Sequence, residues 1–299
     1  MKVFVTGASG FIGQAVVPEL IKHGHQVSGL ARSTASADKV TKAGATVVDG
    51  SLEDLESLRK GAQESDAIVH LGFVHDFSSE EAILKSQAVD RAAIQAIGDA
   101  IAGTGKALII SSGTLGFKQG EVSTEESHHE LNGALSNRAK SSDLLHELTK
   151  EKHIRGMVVR FSPTVHGADD WGFMKMLGEA AKRNGAATYI GDGSARWSAV
   201  QRFDAAVLVR LAVEKGKAGA TYIAAAEQGV PMKDIMTAIG DKLGLPVQSK
   251  TTEEALPLLG TFALAINLDN PASSERTRAE LGWKPENLGL LEDIKQNYF

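Results

Sequence analysis

Three glycines near the start of the chain, Gly7, Gly10 and Gly13, stand between an apolar run and a helical pattern. Residues 2–5 are rich in valine, which predicts a buried strand, and apolar residues between positions 11 and 20 recur at helical spacing. A turn between a strand and a helix N-terminus offers unpaired N–H groups to an anion. The three glycines at this spacing therefore predict a binding site for the pyrophosphate of a dinucleotide.

Each glycine has its own task in such a turn. Gly7 permits the tight turn out of the strand, Gly10 lets a pyrophosphate approach the backbone, and Gly13 lets the following helix pack closely on the sheet. The alternative is an ordinary glycine turn without a ligand. We expect the following residues of the turn to bind the dinucleotide: Gly7, Ser9, Gly10, Phe11, Ile12 and Gly13.

The end of the second predicted strand, at residues 26–31, distinguishes between two dinucleotides. NAD is typically bound there by a carboxylate that accepts hydrogen bonds from the ribose diol, but no acidic residue follows this strand before Asp38. Arg32 stands at that place, and its guanidinium can hold a 2′-phosphate through two charge-assisted hydrogen bonds, while Ser33 adds a hydroxyl. We therefore predict NADP(H) as the cofactor. The alternative is that Arg32 is solvated or stacks on adenine.

The composition excludes several classes of protein and of site. The 299 residues are 42% hydrophobic and 23% charged, and the net charge of −5 comes without a basic block, so we expect no nucleic-acid partner. The absence of cysteine excludes disulfides, zinc thiolates and cysteine nucleophiles, and it fits a cytoplasmic location. We find neither a signal peptide nor about 18 consecutive apolar residues, so we expect no membrane partner. His128 and His129 are adjacent and point apart, so no metal site is expected.

The elements that must position these residues alternate between strands and helices through the first half of the chain. Such alternation predicts an α/β protein with a doubly wound parallel (Rossmann) sheet that helices cover on both faces. The further predicted strands are 26–31, 45–48, 67–71, 106–111 and 156–161, and the predicted helices are 11–23, 35–43, 52–62, 80–102 and 133–152.

The pattern becomes looser after Pro163, which predicts a smaller C-terminal substrate lobe. We expect the dinucleotide-binding domain to span 1–165 and the substrate lobe to span 166–299, with 200–226 returning to the first domain. Within the lobe the local predictions are a helix over 167–183 and a glycine-rich turn region over 189–198.

Motifs along nearly the whole chain resemble the short-chain dehydrogenase/reductase superfamily in its extended, epimerase-like form. TGASGFIG at 6–13 is similar to the glycine motif of that form, and IVHLGF at 68–73 resembles a segment that lines adenine and ribose. VVRFSPTVHG at 158–167 resembles the segment beneath the nicotinamide. YIGDGSARWSAVQRFDAA at 189–206 and SSERTRAELGWKP at 273–285 resemble signatures of the substrate lobe. The resemblance adds these residues to the expected cofactor site: Leu71, Gly72, Phe73, Phe161, Pro163 and Lys140.

Enzymes of this family reduce a carbonyl with a Tyr that donates the proton, a Lys four residues later that lowers the pKa of the Tyr, and an upstream Ser that orients the oxygen. The resemblance implies that Ser112, in IISSGT at 109–114, and Lys140 occupy the Ser and Lys positions. Ser136 occupies the Tyr position, as in the atypical branch of the superfamily. A serine hydroxyl is shorter by a ring and has a far higher pKa, so Ser136 is not expected to replace the Tyr. Asp90 stands where the family usually has a structural Asn.

Three possibilities for the missing proton donor stay open. In the first, another group supplies the proton, and His75 or His166 is the candidate because each follows a strand of the predicted sheet and a histidine titrates near neutrality. In the second possibility Lys140, or a water held by Ser112, gives the proton. In the third no redox reaction occurs, and the protein binds NADP(H) as a sensor. For each histidine the alternative is an ordinary loop residue.

These patterns together predict an NADP(H)-dependent oxidoreductase of atypical type. Its expected substrate is a small apolar molecule with a ketone, aldehyde or related polarised double bond, because the predicted lobe offers aromatic residues and few clustered cations. The alternatives are an epimerase or dehydratase that acts on a sugar nucleotide and a non-catalytic NADP(H)-sensing regulator. A monomer or a homodimer is expected.

Overall fold

The computed structural model describes residues 1–76, 78–129, 137–260 and 262–299, and of residues 137 and 138 only the backbone. Its strands, in chain order, are β1 (Lys2–Thr6), β2 (Gln26–Ala31), β3 (Thr46–Asp49), β4 (Ala67–His70), β5 (Ala107–Gly113), β6 (Arg155–Phe161), β7 (Thr164–His166), β8 (Ala187–Ile190), β9 (Arg196–Gln201), β10 (Thr221–Ala224), β11 (Glu227–Pro231) and β12 (Val247–Lys250).

The helices connect these strands and cover them. In chain order they are α1 (Gly13–Lys22), α2 (Thr34–Lys42), α3 (Leu55–Gln63), α4 (Glu80–Ala100), α5 (Asn137–Glu151), α6 (Phe173–Asn184), α7 (Arg202–Lys215), α8 (Met232–Leu243), α9 (Thr252–Leu259), α10 (Phe262–Ile266), α11 (Glu275–Leu281) and α12 (Leu290–Asn297).

Seven strands form one large sheet in the order β10-β6-β5-β4-β1-β2-β3, and every neighbouring pair in it is parallel. Side chains alternate between its faces: Val3 and Val5 pack with residues of α1 and α7, and Phe4 packs with residues of α3 and α4. Both faces are buried, which explains why these strands are almost continuously apolar. The predicted doubly wound α/β fold is confirmed.

The second lobe is built around two small sheets. Strands β11, β9 and β7 form one, and β12 pairs with β8 in the other. Apolar residues of α6, α8, α9, α10 and α12 bury its core. The segment 200–226 crosses back, since α7 packs on α1 and β10 extends the large sheet beside β6. The expected division at residue 165 falls within β7, whose strand partner β9 belongs to the second lobe. No helix in the described ranges is long and apolar enough to cross a membrane.

Two local predictions for the second lobe are wrong. The range 189–198 is not a turn region throughout, because β8 and β9 flank a short turn in which Gly191 and Gly193 have positive φ angles. The helix predicted over 167–183 begins only at Phe173. Gly167 and Asp169 have φ angles of 146° and 65°, which lie outside the right-handed helical region.

Candidate active site

The strand order of the large sheet reverses between β1 and β4, and such a reversal opens a crevice at the carboxyl ends of the strands. Gly7 follows β1 there with a φ angle of 69°. A Cβ atom at Gly7 would lie 2.7 Å from the backbone nitrogen of Gly72 and 2.8 Å from the carbonyl carbon of Leu71. Both the backbone angle and the close approach require glycine. The turn after β1 and the segment after β4 therefore form the two walls of this crevice.

The N-terminus of α1 fits a pyrophosphate. No side chain caps this helix. The Gln14 and Ala15 N–H groups donate to the Gly10 and Ile12 carbonyls, whereas the N–H groups of Phe11, Ile12 and Gly13 have no acceptor among the described residues and are left for an anion. Around a Cβ built at Gly10, only the Gly7 carbonyl oxygen lies within 4 Å, so the space beside the turn is open. A Cβ at Gly13 would overlap with the Gly7 carbonyl oxygen and with Ala8. The close contact of Gly13 is thus with the turn itself rather than with the sheet, which corrects the expected reason for this glycine.

Arg32 lies directly after β2 and is exposed. It forms no ion pair with the part of the chain that the structure describes. The Ser33 hydroxyl is already used in capping α2, because it accepts a hydrogen bond from the Ser36 N–H at 3.3 Å. Arg32 is therefore available to a ligand at this edge of the site, and Ser33 contributes mainly by starting α2.

Ser112 lies near the carboxyl end of β5 and is buried, and its Oγ hydrogen-bonds to no described atom. Thr114 is also buried, but its Oγ1 lies 3.3 Å from the Ser198 Oγ and accepts a hydrogen bond from the Asn270 side chain at 3.1 Å. Thr114 thus joins β5 to the second lobe, whereas the Ser112 hydroxyl makes no such connection. Lys140 lies exposed in the first turns of α5. Ser136 lies outside the described residues.

An aromatic row crosses the mouth of the crevice. His75 is exposed on the loop after β4, and its ring meets those of Phe73 and Trp171 edge to face, with centroid distances of 5.3 and 5.4 Å. Trp171 comes from the second lobe and is 57% exposed. Phe161 and Pro163 lie at the end of β6, with Phe161 buried and Pro163 half-buried. By contrast, Phe173 and Trp197 pack against each other in the second lobe core.

In contrast to the exposed His75, His166 is fully buried. Its Nδ1 lies 2.6 Å from the Asp293 Oδ2 on α12. Burial raises the pKa of Asp293, but hydrogen bonds from His166 and Asn297 outweigh it, so the net pKa is lowered. Of the two histidines expected as proton donors, His75 is exposed, and His166 is buried against the C-terminal helix.

The segment after β7 is held by the C-terminal residues. The Tyr298 hydroxyl accepts a hydrogen bond from the Gly167 N–H at 3.1 Å and donates one to the Asp170 Oδ2 at 2.7 Å. Burial raises the pKa of Asp170 and also that of the Tyr298 phenol. Asp170 also accepts a hydrogen bond from the Gly172 N–H, directly before α6, and this helix has no side-chain cap.

A second buried histidine, His70, was not singled out from the sequence. Its Nδ1 lies 2.8 Å from the Thr6 Oγ1, and its Nε2 lies 3.2 Å from the Asp90 Oδ1. The Ser141 hydroxyl donates to the Asp90 Oδ2 at 2.6 Å. All four residues are buried. The signal for Asp90 was an acid in an alanine-rich helical segment at the place of the family Asn, whereas His70 in an apolar strand gave no indication of its partners.

The comparisons with known proteins agree with this geometry. The model of the NAD dependent epimerase/dehydratase family matches residues 3–225. The chain is 42% identical over 300 residues to the uncharacterized protein YLL056C of Saccharomyces cerevisiae, in a match that covers 100% of this chain and 99% of the relative. A shorter match, 39% identical over 70 residues, covers 23% of this chain and 21% of a ketoreductase of Stigmatella aurantiaca that is named for a farnesylated dihydroquinoline oxide.

Solved structures show the same fold. The UDP-glucose 4-epimerase of Thermus thermophilus, in complex with NAD, superposes with a TM-score of 0.79 at 19% sequence identity, covering 100% of this chain and 98% of that one. The glycine turn, the crevice and the family match lead to one conclusion, which agrees with the resemblance in the sequence. The chain belongs to the NAD dependent epimerase/dehydratase family, whose cofactor is a nicotinamide dinucleotide.

Proposed function

We propose that this protein reduces the carbonyl group of a small apolar ketone or aldehyde, or a related polarised double bond, with NADPH. The observation that carries the proposal is the buried Ser112 hydroxyl at the end of β5, whose Oγ has no hydrogen-bond partner among the described residues. A buried hydroxyl without a partner is costly unless a ligand completes it. A carbonyl oxygen in the crevice accepts its hydrogen bond and is oriented by it.

The preference for NADP(H) is supported by the charge at the end of β2. Arg32 is exposed, without an ion-pair partner in the described chain, and stands where NAD-selective sites have a carboxylate. A guanidinium there neutralises a 2′-phosphate through charge-assisted hydrogen bonds, and the N–H groups of Thr34 and Ala35, which the Ser33 cap does not use, can add to it.

The remaining residues have separate tasks in this proposal. The bound coenzyme supplies a hydride to the carbonyl carbon. Lys140 binds the nicotinamide ribose with its ammonium group, a role that needs no neighbouring Tyr. His75 supplies the proton to the carbonyl oxygen, since it is the exposed histidine at the mouth of the crevice and a histidine titrates near neutrality. The aromatic row of Phe73, His75 and Trp171 favours an apolar substrate.

Sugar-nucleotide chemistry is the second candidate, because it is typical of the family. Its substrates need cations in the second lobe for their phosphates. Arg196 is already bound to Asp269, to which its Nε and Nη2 donate at 3.0 and 2.7 Å. Arg202 lies over the ring of Phe11 at 5.0 Å. The bonds from Arg196 to Asp269 leave this cation unavailable to a phosphate, which favours the apolar carbonyl substrate. The third candidate is a sensor that binds NADP(H) without turnover.

The proposal is tested by incubating the protein with NADPH and a panel of aryl ketones and aldehydes. We expect NADPH absorbance to fall with at least one apolar carbonyl compound and to stay constant with UDP-glucose. NADPH binding without any turnover would favour the sensor. Interconversion of a UDP-sugar with no net change of coenzyme would favour the epimerase.

The cofactor preference is tested with Arg32→Ala. We expect the affinity for NADP⁺ to fall by about 10–100-fold, the effect of losing a charge-assisted hydrogen bond, while the affinity for NAD⁺ changes little. Titration calorimetry measures both. The matched control is Lys39→Ala, which removes an exposed cation from α2 without facing the end of β2. An equal loss for NADP⁺ and NAD⁺ would contradict the preference. The cytoplasmic location, the oligomeric state and the identity of the substrate stay predictions.

A further inference from the structure

We propose that Thr6, His70, Asp90 and Ser141 form a buried positioning chain that fixes the helix of Lys140 relative to the glycine turn. This inference rests on the coenzyme binding of the proposed function. It concerns residues that need not touch the coenzyme themselves. In this sense His70, Asp90 and Ser141 are positioning residues, and they act through the Lys140 ammonium group.

The chain begins where the coenzyme crevice begins. Thr6 and His70 are the last residues of β1 and β4, and they are direct partners in the parallel pairing of the two strands. The Thr6 Oγ1 accepts a hydrogen bond from the Gly72 N–H at 3.1 Å and lies 2.8 Å from the His70 Nδ1. Thr6 precedes Gly7 directly. The first two members of the chain therefore join both walls of the crevice.

The chain ends beside Lys140. Asp90, near the middle of α4, lies 3.2 Å from the His70 Nε2 through its Oδ1 and accepts the Ser141 hydroxyl bond at 2.6 Å through its Oδ2. Ser141 is buried and follows Lys140 directly on α5, while Lys140 itself is exposed. A hydrogen bond to a carboxylate is shorter and stronger than one between neutral groups. The helix turn that carries the lysine is thus tied to the buried Asp90.

The hydrogen-bond donors and acceptors agree along the whole chain. An ionised Asp90 only accepts, so the His70 Nε2 carries the proton and donates it to the carboxylate. The His70 Nδ1 then accepts from the Thr6 hydroxyl, whose oxygen accepts from the Gly72 N–H. With this tautomer the bonds from Thr6 to His70 and from His70 to Asp90 run in the same direction. An asparagine at position 90, the usual residue of the family, accepts only through its oxygen, so it could serve both neighbours only by donating from its amide nitrogen to the His70 Nε2 and reversing the tautomer.

The two adjacent serines of α5 provide a matched pair of variants. Ser141→Ala removes the bond to Asp90. Ser142→Ala removes a neighbouring buried hydroxyl whose Oγ has no hydrogen-bond partner among the described residues. We expect Ser141→Ala to weaken NADPH binding by about 10-fold, because Lys140 is then held less firmly, and Ser142→Ala to leave it unchanged.

A double-mutant cycle with Lys140→Ala separates positioning from general destabilisation. If Ser141 acts through Lys140, the double variant binds NADPH as weakly as Lys140→Ala alone. Adenosine 2′,5′-bisphosphate, which carries only the adenine half of the coenzyme, binds all four proteins with the wild-type affinity. Titration calorimetry measures both ligands, and thermal unfolding shows that each variant is folded.

Several results would overturn the inference. One is that Ser141→Ala binds NADPH like Ser142→Ala. A second is that the losses of NADPH affinity from Ser141→Ala and Lys140→Ala multiply in the double variant. A third is that the affinity for the bisphosphate falls in parallel with the affinity for NADPH. If the wild-type protein binds neither NADPH nor NADH, the proposed function fails, and the inference fails with it. A wild-type protein that binds coenzyme while Ser141→Ala has no effect removes only the inference.

Discussion

Each lobe contains a buried histidine–aspartate pair, and the two pairs have different neighbours. His70 and Asp90 lie 3.2 Å apart, and each bonds onward, to Thr6 on β1 and from Ser141 on α5. His166 and Asp293 lie 2.6 Å apart, and the His166 Nε2 has no partner among the described residues. The first pair therefore connects elements that face the coenzyme crevice.

The second pair does not extend to further strands through its aspartate. The other Asp293 oxygen accepts a hydrogen bond from Asn297 of the same helix, so this pair mainly attaches α12 to β7. The same two residue types thus act as a link between ligand-binding elements in one lobe and as an anchor for a terminal helix in the other. The difference lies in whether the imidazole has a partner on its far side.

The largest expected effect comes from breaking the anchor with Asp293→Ala. Removing the carboxylate leaves the buried His166 Nδ1 without its hydrogen-bond partner, so we expect the free energy of unfolding to fall by about 1–3 kcal/mol. Urea denaturation measures this change. The affinity for NADPH at a temperature where the variant is folded should stay within about 2-fold of the wild type, because both residues of the pair are fully buried and bond to each other.

The control for this change is Glu292→Ala, which removes an exposed carboxylate from the same helix. It should leave both the unfolding free energy and the coenzyme affinity nearly unchanged. A loss of NADPH affinity in Asp293→Ala comparable to that of Ser141→Ala would remove the distinction between the two pairs.

A smaller effect sharpens the comparison through pH. The net pKa of Asp293 is lowered in the folded protein, because hydrogen bonds from His166 and Asn297 outweigh burial. A group with a lowered folded-state pKa contributes stability that is present above its unfolded pKa of about 3.9 and is lost as pH falls through the folded-state value. We expect the unfolding free energy of the wild type to fall more steeply below about pH 4 than that of Asp293→Asn.

The pKa of Asp170 is shifted in the opposite direction, because burial raises it. Its contribution to the unfolding free energy is therefore present at low pH and is lost as pH rises through the folded-state pKa. Denaturation curves of Asp293→Asn and Asp170→Asn at several pH values separate the two carboxylates. Parallel acid limbs for the wild type and Asp293→Asn would contradict the assignment.

The fold of the first lobe follows from local pattern. Valine-rich strands, glycine turns and helical spacing lie close together in the sequence, and they predict the parallel sheet and the turn from Gly7 to Gly13. The exposed Arg32 also follows from its place directly after β2. These features depend on neighbours along the chain, so a single sequence contains the information.

The contacts between distant residues could not be predicted in the same way. The His70–Asp90 bond depends on how α4 packs against the sheet, and the His166–Asp293 bond joins residues 127 positions apart. The strands β8 and β9 were missed because they are short and flank a turn whose glycines dominate the local pattern. The only local indication of these contacts was a polar residue within an apolar segment, and such a residue does not identify its partner.

The return of α7 and β10 to the large sheet has a consequence for how such proteins diversify. The chain enters the second lobe with β7, leaves it after β9, and enters it again with β11. Leu281 and Trp283, near the C-terminus, pack once more with the core of the first lobe. Grafting the second lobe as one module would therefore cut the chain at several points, whereas replacing an exposed side chain such as Trp171 cuts it at none.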